Sequence, residues 1–219
     1  SATRHQIENE LLDLNFLGIE NVMALRGDAP AGQRNFIPEP DGFTHSYELV
    51  AAIDMLGSGK FLDPTVKEPH PARFCVGVAG YPEKHFEAAN LEDDILHLKQ
   101  KVEAGADYVV TQMFFDNKAF FAFKDRCRAA GITVPIIPGL KPLTAVRQLD
   151  MLPPTFHLDI PQELAEEMRR HDSPEAAREI GKEWCVMQSR ELLREGVPAI
   201  HYYTMGNPSY TLQIVKEVF

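Results

Sequence analysis

The sequence predicts an α/β fold built on a parallel sheet wrapped in helices, and three observations carry that prediction. Helix-period segments and short apolar segments alternate along all 219 residues. The apolar segments lack the polar alternation of a sheet with one wet face, as expected of strands covered on both sides. Polar residues then follow one apolar segment after another, at the carboxyl end where α/β proteins place their chemistry.

Thr3 followed by Gln6 is a capping-box pattern, and Ile7, Leu11 and Leu14 recur at helical spacing until Gly18 stops the first helix. Residues 22–25 form a brief apolar run, read as a strand buried on both faces and ending in Arg26-Gly27-Asp28. A loop rich in proline and glycine spans 29–42. A second helix, 46–56, buries Leu49, Ile53 and Leu56, and a proline-bearing polar loop leads to a strand over 74–78. Asn90 caps a third helix, with Ile95, Leu98 and Val102 on its buried side and Gly105 closing it. Residues 108–111 form the third strand, ending in Gln112, and a helix over 117–130 stops at Gly131. The fourth strand covers 134–137. Residues 143–195 read as three helices, one ending near Leu152, one over 161–170 and a long one from Ser173. The fifth strand covers 199–203, and a last helix begins near Pro208.

The length suits one large domain or two small ones, and no composition break divides the chain, so a single domain over 1–219 is expected. A net charge of −10 without a run of basic residues argues against a nucleic-acid groove or an anionic membrane surface as partner. An anionic ligand must then be held by a few local cations and backbone donors. No apolar stretch approaches the roughly 20 residues of a membrane span, and the opening residues carry no signal-peptide pattern. Cys75, Cys127 and Cys185 are odd in number and widely spaced, which argues against a disulfide framework or zinc site and favours a reducing cytoplasm. The chain opens Ser1-Ala2 directly before a helix cap, and further sequence upstream is expected.

Arg26-Gly27-Asp28, Tyr81 to His85, Gln112, the Gly139-Leu140-Lys141 turn and Thr204 all fall at strand ends, which in a barrel share one face. A closed (β/α)₈ barrel needs eight strands, so five imply an open sheet or about three units lying upstream. Glu83 and His85 are possible metal ligands, yet no histidine pair at helical spacing and no Cys-x-x-Cys accompanies them. Neither a Gly-x-Ser-x-Gly elbow nor a Gly-x-Gly-x-x-Gly turn is present, which leaves out the commonest hydrolase and dinucleotide patterns. Asp94, His97 and Lys101 share one helix face, which periodicity alone reads as a solvated face with an ordinary ion pair. Gln112 offers donors and an acceptor suited to the edge of a pterin or flavin, whereas Met113-Phe114-Phe115 reads as core.

Taken together, these segments resemble the methylenetetrahydrofolate reductases. The matching stretches are Ala24-Leu25-Arg26-Gly27-Asp28, Val78 to Glu83 with His85 and Glu87, Thr111-Gln112-Met113-Phe114-Phe115-Asp116, Ile136-Ile137-Pro138-Gly139-Leu140 and His201-Tyr202-Tyr203-Thr204, in the family's order and spacing. The resemblance implies a (β/α)₈ barrel of the TIM type, incomplete here, with about five β/α units from its carboxyl-terminal part. It implies an FAD-dependent oxidoreductase of one-carbon metabolism and methionine biosynthesis. Such an enzyme reduces 5,10-methylenetetrahydrofolate to 5-methyltetrahydrofolate with NADH or NADPH as hydride donor.

By the same resemblance, Arg26, Gly27, Asp28, His45, Ser46, Ala79, Tyr81, His85, Asp94, His97 and Lys101 line the FAD, with Lys101 a candidate cation for an anionic part of it. Asp28 is the catalytic candidate, close to both flavin and pterin, and Asp28, Tyr81, Gln112 and Gln148 contact the folate. Two departures stand out: His45 replaces a tyrosine usual in the family, and Met205-Gly206-Asn207 replaces its Leu-Asn-Arg. The family's general acid is a glutamate on its first barrel strand, without a counterpart here, so this chain alone is expected to be inactive. Two alternatives are a non-catalytic flavin- or folate-binding module and a different (β/α) barrel enzyme, a lyase or a pterin-dependent methyltransferase. The expected partners are folate and nicotinamide, with no nucleic acid and no membrane. An open sheet edge invites association into a homo-oligomer.

Overall fold

A computed structural model describes residues 2–27, 29, 36–171, 173–206 and 208–219 of the chain. Helices and strands alternate as α1 (Arg4–Phe16), β1 (Asn21–Ala24), α2 (Ser46–Gly57), β2 (Cys75–Gly80), α3 (Leu91–Glu103), β3 (Tyr108–Met113) and α4 (Asn117–Ala129). They continue as β4 (Ile136–Leu140), α5 (Gln148–Phe156), α6 (Gln162–Arg170), α7 (Pro174–Arg194), β5 (His201–Tyr202) and α8 (Pro208–Val218). The strands form one five-stranded sheet in chain order, β1-β2-β3-β4-β5. Asn21 to Ala24 pair in parallel with Cys75 to Val78, and Gly139-Leu140 with His201-Tyr202. This is the (β/α) barrel type with five units. Contacts group the chain into two compact units, Ser1–Ala79 with His97–Val109 and Gly80–Leu96 with Val110–Phe219.

In the first unit, the capping box closes as expected. The Gln6 amide N–H donates to Thr3 Oγ1, Thr3 N–H donates to Gln6 Oε1, and Gly18 follows the helix with a left-handed φ of 77°. Glu48 performs the same service for α2, accepting from the backbone N–H groups of Thr44 and His45 at 2.7 and 3.0 Å. Asp107 fastens the start of β3 to β2: its Oδ2 accepts from Val76 N–H at 2.7 Å and its own N–H donates to Val76 O at 2.8 Å. Gly77 is required where it stands, because a Cβ there would lie 2.5 Å from both Met23 Sδ and the Tyr108 ring.

One expectation fails in this unit. The first strand is not buried on both faces, since Met23 and Leu25 are 40% and 54% exposed. As first in the sheet order, β1 has a described partner on one side only. Apolar composition marks a strand but does not say which strand is the edge. Smaller corrections follow from helix phase: Val50 rather than Leu49 joins Ile53 and Leu56 in the core, and Val102 is half-buried.

In the second unit, Met113 and Phe115 enter a core with Leu143, Leu149, Leu152, Leu164 and Met168, and Phe114 stacks on Phe120 at 5.3 Å, so this run is core as expected. A buried polar network joins α4 to α7. Asn117 Nδ2 donates to Gln188 O and Glu191 Oε2, and Gln188 Nε2 donates to Asn117 Oδ1. Trp184 Nε1 donates to Phe115 O at 3.0 Å. The fourth strand lies two to three residues later than its sequence pattern suggests and includes Pro138 and Gly139. The fifth is only two residues long. Helix α5 continues through Pro153 and Pro154 to Phe156, and the His157 N–H then donates to Pro153 O at 2.8 Å.

All three cysteines are free. Burial pushes the Cys127 and Cys185 thiols up to about 12, while Cys75 is exposed. No helix among the described residues is long and apolar enough to cross a membrane.

Two glycines give opposite expectations. A Cβ on Gly181 would lie 2.0 Å from Leu143 O, so Gly181→Ala should lower stability in urea unfolding by about 1–3 kcal/mol or more. A Cβ on Gly57 meets nothing closer than 3.7 Å, so Gly57→Ala should leave stability unchanged or raise it by about 0.4–1 kcal/mol.

Candidate functional site

At the end of β1, Leu25, Arg26 and Gly27 line a cavity of about 60 Å³ with Phe36, His45, Ser46 and Leu49. The Arg26 guanidinium carbon lies 5.1 Å from the centroid of the Phe36 ring, a cation–π distance. A side chain on Gly27 would come within 3.3 Å of that ring. Four residues assigned by resemblance to the cofactor therefore share one hollow, with apolar walls and a cation at its edge. The His45 ring is stacked on Tyr47 at 5.6 Å. Asp28, the catalytic candidate, and Asn207 lie outside the described residues.

At the end of β2, Ala79 O accepts from Lys101 Nζ at 3.0 Å, which anchors this half-buried lysine to the strand. In the second unit, the Tyr81 and His85 rings meet edge to face at 4.6 Å. The Glu87 N–H donates to His85 Nδ1 at 3.2 Å, so the neutral imidazole carries its proton on Nε2. Asp94 is 7% exposed, and its Oδ2 accepts from the His85 N–H at 3.0 Å. The helix bearing Asp94, His97 and Lys101 is thus not a uniformly solvated face with an ordinary ion pair. Asp94 is buried and fixes the loop after β2, His97 is exposed, and Lys101 is tied to a strand carbonyl.

The two glutamines are in place but partly engaged. Gln112 lies inside β3 rather than beyond it, and its Oε1 accepts from the next N–H, that of Met113, at 3.0 Å. Gln148 is 9% exposed, and its Oε1 accepts from Thr144 N–H, Thr144 Oγ1 and Ala145 N–H, capping the turn into α5. For both, the Nε2 donors make no hydrogen bond to a described residue. What each can offer a ligand is therefore chiefly a donor.

The ends of β3, β4 and β5 are braced together. Tyr203 Oη donates to Thr111 O at 2.8 Å, Gly139 N–H donates to Thr111 Oγ1 at 2.9 Å, and Tyr203 N–H donates to Leu140 O at 2.8 Å. Thr204, just beyond, is exposed.

Glu83 is a residue whose setting the sequence did not reveal. Burial pushes its carboxyl up to about 7; the Asp159 N–H, donating to Oε2 at 2.9 Å, pulls it down, and the charges of Asp159 and Asp116 raise it further. Phe86 stacks on His157 at 4.8 Å, so the loop after β2 meets the segment after α5 twice. The partner stands 76 residues away, which local patterning cannot foresee. Among the described residues, no group of histidine, cysteine or acidic side chains could hold a metal ion.

The parallel strand order, with a helix between successive strands and polar groups at the carboxyl end of individual strands, defines a protein of the (β/α)-barrel class. The sequence model of the family described as methylenetetrahydrofolate reductase matches residues 1–218, and the chain belongs to that family. It is similar to "Probable methylenetetrahydrofolate reductase (NADPH)" of Caenorhabditis elegans, 34% identical over 205 residues, 92% of this chain and 28% of that one. It is also similar to "Methylenetetrahydrofolate reductase (NADH) 1" of Zea mays, 35% identical over 223 residues, 97% of this chain and 35% of that one. With "5,10-methylenetetrahydrofolate reductase" of Pectobacterium carotovorum it shares 31% identity over 214 residues, 97% of this chain and 65% of that one. The chain thus spans from about a quarter to two thirds of the length of these relatives.

Glu83 makes stability depend on pH. Its folded value of about 7 exceeds the ordinary 4.5, so the folded protein holds the extra proton between those values. Stability should therefore fall as pH rises from about 4.5 to about 7, by an amount on the order of 1 kcal/mol after solvent screening, then level off. Urea midpoints measured across that range should flatten in Glu83→Gln; an unchanged slope would place the titration elsewhere.

Proposed function

We propose that this chain carries flavin and folate contacts of an enzyme that reduces 5,10-methylenetetrahydrofolate to 5-methyltetrahydrofolate, with NADH or NADPH as hydride donor and FAD as cofactor. The observation that carries the reading is family membership over residues 1–218. The hollow at the end of β1 offers surfaces suited to a small part of the cofactor: an apolar wall from Leu25, Phe36 and Leu49, polar edges from His45 and Ser46, and a glycine where a side chain would meet the Phe36 ring. Arg26 and Lys101 add positive charge to a chain whose net charge is −10. Bound FAD supplies the two-electron carrier between nicotinamide and folate.

The protein's own residues then have distinct tasks. Gly27 lets the cofactor approach the backbone, and Lys101, fixed on Ala79 O, presents a cation to an anionic part of FAD. Tyr81 and His85 offer ring surfaces oriented by Asp94 through the His85 N–H. Gln112 and Gln148 donate from Nε2 to the folate. Asp28 contributes a negative charge that lowers the flavin's reduction potential and bears on the folate step. The general-acid glutamate that the resemblance assigns has no counterpart among these 219 residues. We therefore expect little or no folate reduction by the chain alone. A cytoplasmic, self-associating protein is the setting we favour.

Absorbance and fluorescence titration with FAD tests the cofactor reading. The complete protein should bind saturably, and Lys101→Ala should weaken binding about tenfold, the loss of one charge-assisted contact; wild-type affinity in that variant would remove Lys101 from the site. In stopped flow, Asp28→Asn should slow folate reduction more than flavin reduction by the nicotinamide. Equal slowing of both half-reactions would sink the role given to Asp28.

A further inference from the structure

We propose that Lys141 is a specificity-determining residue whose ammonium holds a carboxylate of the folate's glutamyl tail, an inference that rests on the function proposed above. Lys141 directly follows the last residue of β4 and is only 9% exposed. Its chain neighbours Leu140, Pro142 and Leu143 are buried as well. No described residue makes a hydrogen bond or ion pair with its amine. A cation this far from water and without a protein anion is costly, and proteins retain such groups where a ligand supplies the missing charge.

Three other cations, on the segments after β1 and β2 and on α3, are already engaged. Lys84 Nζ donates to Ala88 O at 2.7 Å, Lys101 Nζ to Ala79 O at 3.0 Å, and Arg26 lies over Phe36. In a chain of net charge −10, a dianionic ligand needs a local cation, and Lys141 is buried without a described counter-charge. Its place selects the folate rather than the cofactor. Lys141 leaves β4 next in the sheet to β3, which carries Gln112, and the loop it opens is closed by Gln148 seven residues on. Gly139 N–H, donating to Thr111 Oγ1, locks the two strand ends together there. The folate's formal negative charge resides on its glutamyl carboxylates, since the pterin ring is neutral at pH 7. Burial alone holds the Lys141 amine below the ordinary lysine range, and a carboxylate alongside would raise it again.

The test uses the complete protein with FAD bound and two ligands, 5-methyltetrahydrofolate and its diamide, in which both carboxylates are carboxamides. Calorimetry on the wild type should show the diamide binding about ten- to a hundredfold more weakly, the range for a desolvated charge-assisted contact. Lys141→Met should bind the two ligands equally, Lys141→Arg should keep most of the preference, and FAD affinity should be unchanged in both. Equal wild-type affinity for folate and diamide overturns the inference without any variant. So does a wild-type preference retained by Lys141→Met. Loss of FAD affinity in place of folate affinity would reassign the amine to a phosphate of the nucleotide. If the wild type binds neither ligand, the proposed function falls first and this inference falls with it.

Discussion

Tyr203 reaches the carbonyl of Thr111 only because residue 139 has no side chain. A Cβ on Gly139 would lie 2.2 Å from Thr111 O and 2.7 Å from the Tyr203 ring. The bare backbone lets an aromatic ring cross β4 and its hydroxyl satisfy a carbonyl on β3, while Gly139 N–H takes the Thr111 hydroxyl. Strand ends are otherwise where sheet hydrogen bonding runs out, and the polar groups there need satisfaction from side chains. With this brace, Gln112 within β3 and Lys141 and Thr204 just beyond β4 and β5 stand on a fixed base. The register of Gly139 opposite His201 completes it, and the His201 ring packs edge to face on Tyr203 at 4.7 Å.

The same economy governs charge. Asp107, Glu48, Glu83 and Asp94 spend carboxylate oxygens on backbone N–H groups at the mouths of helices and strands. Lys84 and Lys101 donate their ammonium N–H groups to the backbone carbonyls of Ala88 and Ala79. Side chains that look like ordinary surface charge in the sequence are thereby turned into local staples for irregular backbone, each with a low entropic cost because the partner is already fixed. The exposed ion pairs, such as Arg126 with Glu92 or Arg170 with Glu167, contribute little beside these.

How much was legible follows from this. The element order was readable because helix caps and stops are local: Thr3 with Gln6, Asn90 with Asp93, Ser173 with Ala176 and the glycines at 18, 105 and 131 all act within a few residues. The edge exposure of β1 was not, since Val22 to Leu25 have the composition of an interior strand and only the sheet order makes them an edge. The family was legible from strand-end motifs, whose spacing the fold preserves. The environment of individual polar groups was not. Asp94, Gln148 and Glu83 acquire their character from partners that spacing does not name, whether nine residues away, four, or 76.

The distribution of sulfur has a practical side. Cys127 and Cys185 are sealed in the core with thiols that remain protonated in any ordinary buffer, leaving Cys75 as the accessible one. It stands at the amino end of β2, the opposite end of that strand from Ala79 and Gly80. A maleimide-linked dye placed there would be a reporter attached to the native chain without mutagenesis, reading events at one end of a strand from the other.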